Sequence, residues 1–154
     1  MEHYIDHYLS SFIYGGLDGI ITTIALISGS LGSNQSVNTV LILTLTSLLS
    51  DGLSMGYGSY ESHLDNYGYQ VAAITFISFV LLGVIPLLIY INSKNKERDV
   101  FISLIILLYI VGYIKAKYKK EKKPHKYASK TMVLGTLVSI VAYYSAHYIS
   151  NKIN

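Results

Sequence analysis

Two aspartates stand inside otherwise apolar stretches. Asp18 is the one charge in residues 12–33 (FIYGGLDGIITTIALISGSLGS), and Asp51 is the one charge in residues 37–58 (VNTVLILTLTSLLSDGLSMGYG). A carboxylate in such a helix costs several kcal/mol in a bilayer unless it is protonated, paired or facing water. No Lys or Arg precedes Lys94. An ion pair within the first three apolar segments is therefore excluded, which leaves a proton, a metal cation or hydroxyl donors as partners. Helical spacing adds neighbours. Asp51, Met55 and Ser59 at i, i+4, i+8 share one face, and Asp18, Thr22, Ala25 and Gly29 form a small, polar face on the first segment. Carboxylate oxygens suit hard divalent ions, and a thioether adds affinity for a borderline metal such as Fe(II). Carboxylates must lose protons to bind metal, so proton coupling follows. The blander readings are that Met55 fills a packing gap and that Asp51 hydrogen-bonds a neighbouring helix. Gly15 and Gly19, like Gly52 and Gly56, are spaced i, i+4 and permit close helix approach.

The elements that must hold these residues follow from length and hydropathy. The chain has 154 residues, 51% of them hydrophobic, with 12 basic and 9 acidic side chains and no cysteine. This suits a single domain over 1–154. It excludes a disordered chain and a cysteine-based metal or disulfide framework. About 20 mostly apolar residues cross the roughly 30 Å hydrocarbon layer as a helix. Five segments qualify, at about 12–33, 37–58, 71–91, 99–118 and 131–151, the fourth if Lys115 and Lys117 snorkel to the interface. The expected fold is all-α: a polytopic membrane protein of five transmembrane helices. Pro86 is expected to kink the third. The first ten residues lack the basic region of a signal peptide.

Charge sets the expected orientation. The connection between spans four and five, KAKYKKEKKPHKYASK, holds eight lysines, and Lys and Arg accumulate on the cytosolic side. That places the N-terminus and the Ser59–Gln70 connection in the cytosol. The same lysines attract anionic lipid headgroups. Tyr57, Tyr90, Tyr118 and Tyr148 near span ends suit an interfacial aromatic belt. His7 is expected on a solvated N-terminal turn and His147 at the far interface. No nucleic-acid partner is expected. No nucleophile elbow, phosphate loop or Ser/His/Asp order is present, so an enzyme is not expected.

At the level of motifs, the chain resembles the vacuolar iron transporter family. YGGLDGIITTIALISGSLG resembles its span-one signature G-x-x-D-G-x-x-[ST]-T-x-A-[LV]-x-x-G. SDGLSMGYGSYES resembles its span-two pattern A-D-[GA]-x-S-M-x-x-[GS]-[EN]-Y. ITFISFVLLGVIPLLIYI, YIVGYIKAKY and LGTLVSIVAYYSAHYI fit the later spans. The resemblance covers nearly the whole chain. It implies a five-helix protomer that forms a homodimer with the cation path at the interface. It also implies transport of Fe2+ and often Mn2+ out of the cytosol into a storage compartment in exchange for protons, without a resident cofactor. A vacuolar or other endomembrane, or the plasma membrane, would house it. The family's metal-binding positions fall on Asp18, Asp51 and Met55.

Two departures stand out. Ser59 occupies the position that usually holds Glu or Asn. Glu61 lies two residues on, rotated about 200° off that face, and is the candidate replacement ligand. Many members also carry a long glutamate-rich helical domain between spans two and three. Here that connection is about twelve residues, and Glu61, His63 and Asp65 are its candidate captors of cytosolic metal. Two other functions fit the same residues: a small cation channel using the intramembrane carboxylates, or a non-transporting membrane scaffold working through the lysine loop.

Overall fold

The computed structural model describes residues 2–63 and 67–153, with side chains from His7 onward. Five helices follow one another: α1 (Glu2–Gly32), α2 (Val37–Glu61), α3 (Gly68–Asn92), α4 (Lys96–Tyr118) and α5 (Pro124–Ile153). All five are long and apolar enough to cross a membrane, and there is no strand among the described residues. The chain is thus an all-α polytopic membrane protein. The helices begin and end where backbone chemistry dictates. Ser36 caps α2, its Oγ accepting the Thr39 N–H at 3.2 Å. The α1–α2 turn passes through Asn34 at φ 55°, a left-handed conformation that Asn tolerates. Pro124 opens α5, where its missing N–H loses no intrahelical bond. Two helices outrun the apolar segments that announce them. α1 starts near residue 2 rather than 12, and α5 at 124 rather than 131, because their polar first turns continue the helix beyond any hydrocarbon layer.

The lysine-bearing α4–α5 turn marks one end of the bundle, termed here the lysine end. His7, Glu61, His63 and Gly68 lie at that end, and Gly32, Val37 and Asn92 lie at the other. Pro86 is buried inside α3, whose helix continues through it.

α1 is the axis of the assembly, touching all four other helices. Its tightest neighbour is α3. A methyl group at Gly15 would fall 2.5 Å from both the Thr75 carbonyl oxygen and the Ser78 Oγ, and one at Gly19 would overlap the Phe79 carbonyl. Contacts that advance together along both chains make α1 and α3 a parallel pair. α2 packs on the same helix: Gly52 lies against Phe76 and Phe79, and Gly56 against the Ala72 carbonyl. Both glycine pairs therefore seat their helices on α3 rather than on each other. Two apolar clusters fill the bundle. Ile27, Val40, Leu87, Tyr90 and Val100 occupy the end away from the lysines, and Ile20, Ile24, Leu104 and Leu108 occupy the middle. α5 is tied to α1 by the buried Ser28–Ser139 hydroxyl pair at 2.7 Å and by His147 Nδ1, 3.1 Å from the Gly32 carbonyl that ends α1. His147 is thus an interhelical contact. α2 and α5 do not touch, so α1 shows an open face between them.

Candidate cation-binding site

Asp18 and Asp51 reach the same depth from opposite chain directions. Asp18 is eleven residues past His7 on α1, and Asp51 is ten before the end of α2, about 15–17 Å in from the lysine-end limits of these spans. In a roughly 30 Å core both sit near the midplane. Asp18 is half-buried.

Asp51 itself is exposed. The buried stripe of α2 runs Val40, Thr44, Leu48, Gly52, Gly56, one residue every turn. Asp51 is offset from that stripe by one residue, about 100° round the helix, on the same side as Met55 and Ser59, which are both half-buried. Its flanking neighbours Leu49 and Leu53 are 53% and 60% exposed. Its hydrogen-bond partner is the Ser50 hydroxyl, at 3.3 Å. Among the described residues the one ion pair joins Arg98 to Asp99, so no cation neutralises either aspartate.

From Asp18 the small face of α1 continues along the open side of the bundle. Thr22, Ala25, Gly29 and Ser33 border an open groove of about 600 Å³, flanked by Leu43 of α2 and by Val138 and Ala146 of α5. The groove is mainly apolar, with the hydroxyls of Thr22, Ser30 and Ser33 along its α1 side.

The other candidate ligands lie apart from this group. Glu61 is exposed at the end of α2, and its carboxylate accepts a 2.8 Å hydrogen bond from Tyr57. The structure does not bring it to Asp51 and Met55. His63 is half-buried, with Nδ1 3.0 Å from the Ser59 carbonyl and 3.1 Å from the Ser62 Oγ. Asp65 lies outside the described residues. His7 is exposed on the early turns of α1, as expected, and meets the His63 ring edge-on at 5.6 Å. The His7–His63 pairing carries no signal in residue spacing, whereas Tyr57 and Glu61 are i, i+4 neighbours on α2. Within one protomer, no three His, Asp or Glu side chains among the described residues form a group able to hold a metal ion. Asp51 is exposed on α2, and Asp18 and Met55 are half-buried.

The fold is that of a five-helix membrane protein that carries one aspartate within each of its first two spans. The chain belongs to the VIT family, whose model matches residues 9–67 and 61–147. It is similar to the vacuolar iron transporter of Toxoplasma gondii, with 44% identity over 55 residues, covering 36% of this chain and 18% of that protein. It is also similar to those of Plasmodium berghei (37% over 67 residues, 44% of this chain and 24% of that protein) and Plasmodium falciparum (34% over 64 residues, 42% and 23%). The aligned stretches span less than a quarter of the length of these relatives.

Proposed function

We propose that the protein transports a divalent metal, Fe2+ and/or Mn2+, from the cytosol into a storage compartment or out of the cell, in exchange for protons. In this reading it works as a homodimer whose facing α1 and α2 surfaces form the path, with the N-terminus and the lysine end cytosolic in a vacuolar or other endomembrane. The observation that carries the reading is Asp51: an exposed, cation-free carboxylate at midplane depth. Facing lipid it would be costly. Facing a second copy it meets Asp18, Asp51 and Met55 again, and the doubled set supplies four carboxylates and two thioethers, a donor mixture suited to Fe(II). The named relatives are iron transporters, which supports the choice of substrate.

The exchange balances charge. Each M2+ released is replaced by two protons on two of the four carboxylates, so the site carries the same net charge in its metal-loaded and proton-loaded states, and neither step moves extra charge into the bilayer. Glu61 and His63 lie at the cytosolic mouth of this path, where they are suited to passing metal inward.

Reconstituted protein tests this directly. Asp18→Asn and Met55→Ala should each abolish or strongly reduce Fe2+ or Mn2+ uptake into vesicles. Unchanged uptake in both would overturn the site. A cation channel is the second reading, motivated by the many small and hydroxyl residues of α1 and α2. Flux that ignores an imposed pH gradient would select it over exchange.

A further inference from the structure

The α4–α5 turn converges its lysines on one concavity. Lys119, Lys120, Lys122, Lys123, Lys126 and Lys130 surround a groove of about 500 Å³ whose one acid is Glu121 and whose wall includes Tyr127. This convergence is imposed by the backbone. Lys120 adopts φ 53°, which folds the chain back on itself within a few residues. The N–H groups of Lys119, Lys120 and Glu121 are consumed in closing α4, bonding the carbonyls of Lys115, Lys117 and Ala116. Positive charge in the groove therefore comes from ammonium groups on the side chains. None of the six is in an ion pair among the described residues. Lys123 and Lys126 also crowd the start of α5, whose first turn has no acid, where the helix dipole disfavours cations. Folding alone gives no reason to gather like charges here. A topology signal needs lysines on one side of the membrane, not around one cavity.

We propose that this groove binds a compact polyanion bearing two or more phosphates, supplied as the headgroup of a polyphosphorylated inositol lipid. Charge selects the class. Each phosphate monoester carries about −1.5 to −2, so two of them with the diester phosphate offset the net charge of six lysines and one glutamate. Placement selects the source. The groove opens where the apolar stretch of α4 ends, and Lys115 and Lys117, directed over the Tyr127 and Tyr113 rings at 6.0 and 5.9 Å, lie one turn deeper at the same surface. A headgroup tethered by its own acyl chains reaches the groove at that level. The proposal stands on this turn and is independent of the transport reading.

The test uses the full chain in phosphatidylcholine nanodiscs. These contain either a bisphosphorylated inositol lipid or phosphatidylserine matched in total lipid charge, and retained lipid is counted by native mass spectrometry. The inositol lipid should be retained at least tenfold more strongly. Lys122→Gln/Lys123→Gln/Lys126→Gln should weaken it about 100-fold, the change expected for three lysines beside phosphate. The remote triple Lys94→Gln/Lys96→Gln/Lys152→Gln, with the same net charge, should leave it within about twofold. The single Lys126→Gln, expected to cost about fivefold, serves if the groove triple does not yield folded protein. Soluble inositol trisphosphate should displace the lipid. Equal retention of phosphatidylserine, or equal loss in both triples, would reduce the groove to diffuse attraction and overturn the proposal. Binding of the soluble headgroup without retention of the lipid would overturn the lipid source.

Discussion

Replacing Asp51 with leucine should make the protein insert and hold together better while stopping its transport. The acid lies about 15 Å along α2 from the Glu61 end, so the value for the centre of a spanning helix applies. There an Asp costs about 2.5–3.5 kcal/mol and a Leu gains about 0.3–0.6. Asp51→Leu on this exposed surface of α2 should therefore favour the inserted helix by roughly 3–4 kcal/mol, a shift of several hundredfold in the partition constant. No packing term opposes it, since Asp51 touches Ser50 and little else in the protomer. Insertion efficiency of α2 can be read from glycosylation-site mapping in microsomes. Metal flux can be read in proteoliposomes at matched protein density, with Asp51→Asn as the variant that removes charge and keeps shape. Both variants should insert at least as well as the parent and transport at background rate. Leucine that restores insertion and retains flux would refute the reasoning, because the carboxylate would then be neither a ligand nor a proton carrier. Leucine that impairs insertion would refute the placement of Asp51 on an exposed face.

Three further outcomes follow from the packing and the mouth of the path. Gly19→Leu drives a side chain into the Phe79 carbonyl and should lower stability by at least the roughly 1–3 kcal/mol typical of overpacking, seen as a lower thermal midpoint in detergent. Ser28→Ala should cost about 0.6 kcal/mol, up to about 1.7, the range for interhelical hydrogen bonds in membranes. Because the Ser28 and Ser139 hydroxyls serve each other, Ser28→Ala/Ser139→Ala should cost no more than the larger single change; additive losses would break the pairing. Glu61→Gln removes the charge, keeps an oxygen that can accept from Tyr57 and leaves Asp18, Asp51 and Met55 in place, so it should raise the metal concentration for half-maximal flux a few-fold with the maximal rate kept. A collapse in maximal rate equal to that of Asp18→Asn would place Glu61 inside the path.

The bundle was legible where physics acts on single segments. Length and hydropathy locate five spans because each must satisfy its own backbone in lipid. The same logic missed the first turns of α1 and α5, whose polar residues leave no hydropathy trace. Glycine spacing announced close approach at Gly15, Gly19, Gly52 and Gly56, yet carried no information on the partner, and α3 turned out to receive both pairs. Helical periodicity put Asp51, Met55 and Ser59 on one face. It could not tell that this face lies beside the buried stripe rather than within it, because small residues and leucines alternate around most of α2. Contacts such as His7–His63 and Ser28–Ser139 join residues far apart in the chain, and no single-segment pattern encodes them. The family motifs pointed to Asp18, Asp51 and Met55. The exposure of Asp51 is visible only once α3 covers the buried stripe of α2.

The ends of α2 and α3 meet closely: a methyl group at Gly68 would overlap the His63 carbonyl, and the ring of Tyr60 borders the same spot. Chain termini held side by side are natural grafting points, because a longer insert must close only a small gap, and each doubling of its length adds just about 0.6 kcal/mol of closure entropy. A helical domain of the kind the longer relatives are expected to carry there can be gained or lost in one step without moving any of the five helices. The bundle is in this sense a chassis with a socket. Grafting a helical insert between Ser62 and Gly68 should leave its thermal midpoint unchanged, so that this connection can vary in length without any change in how the five helices pack.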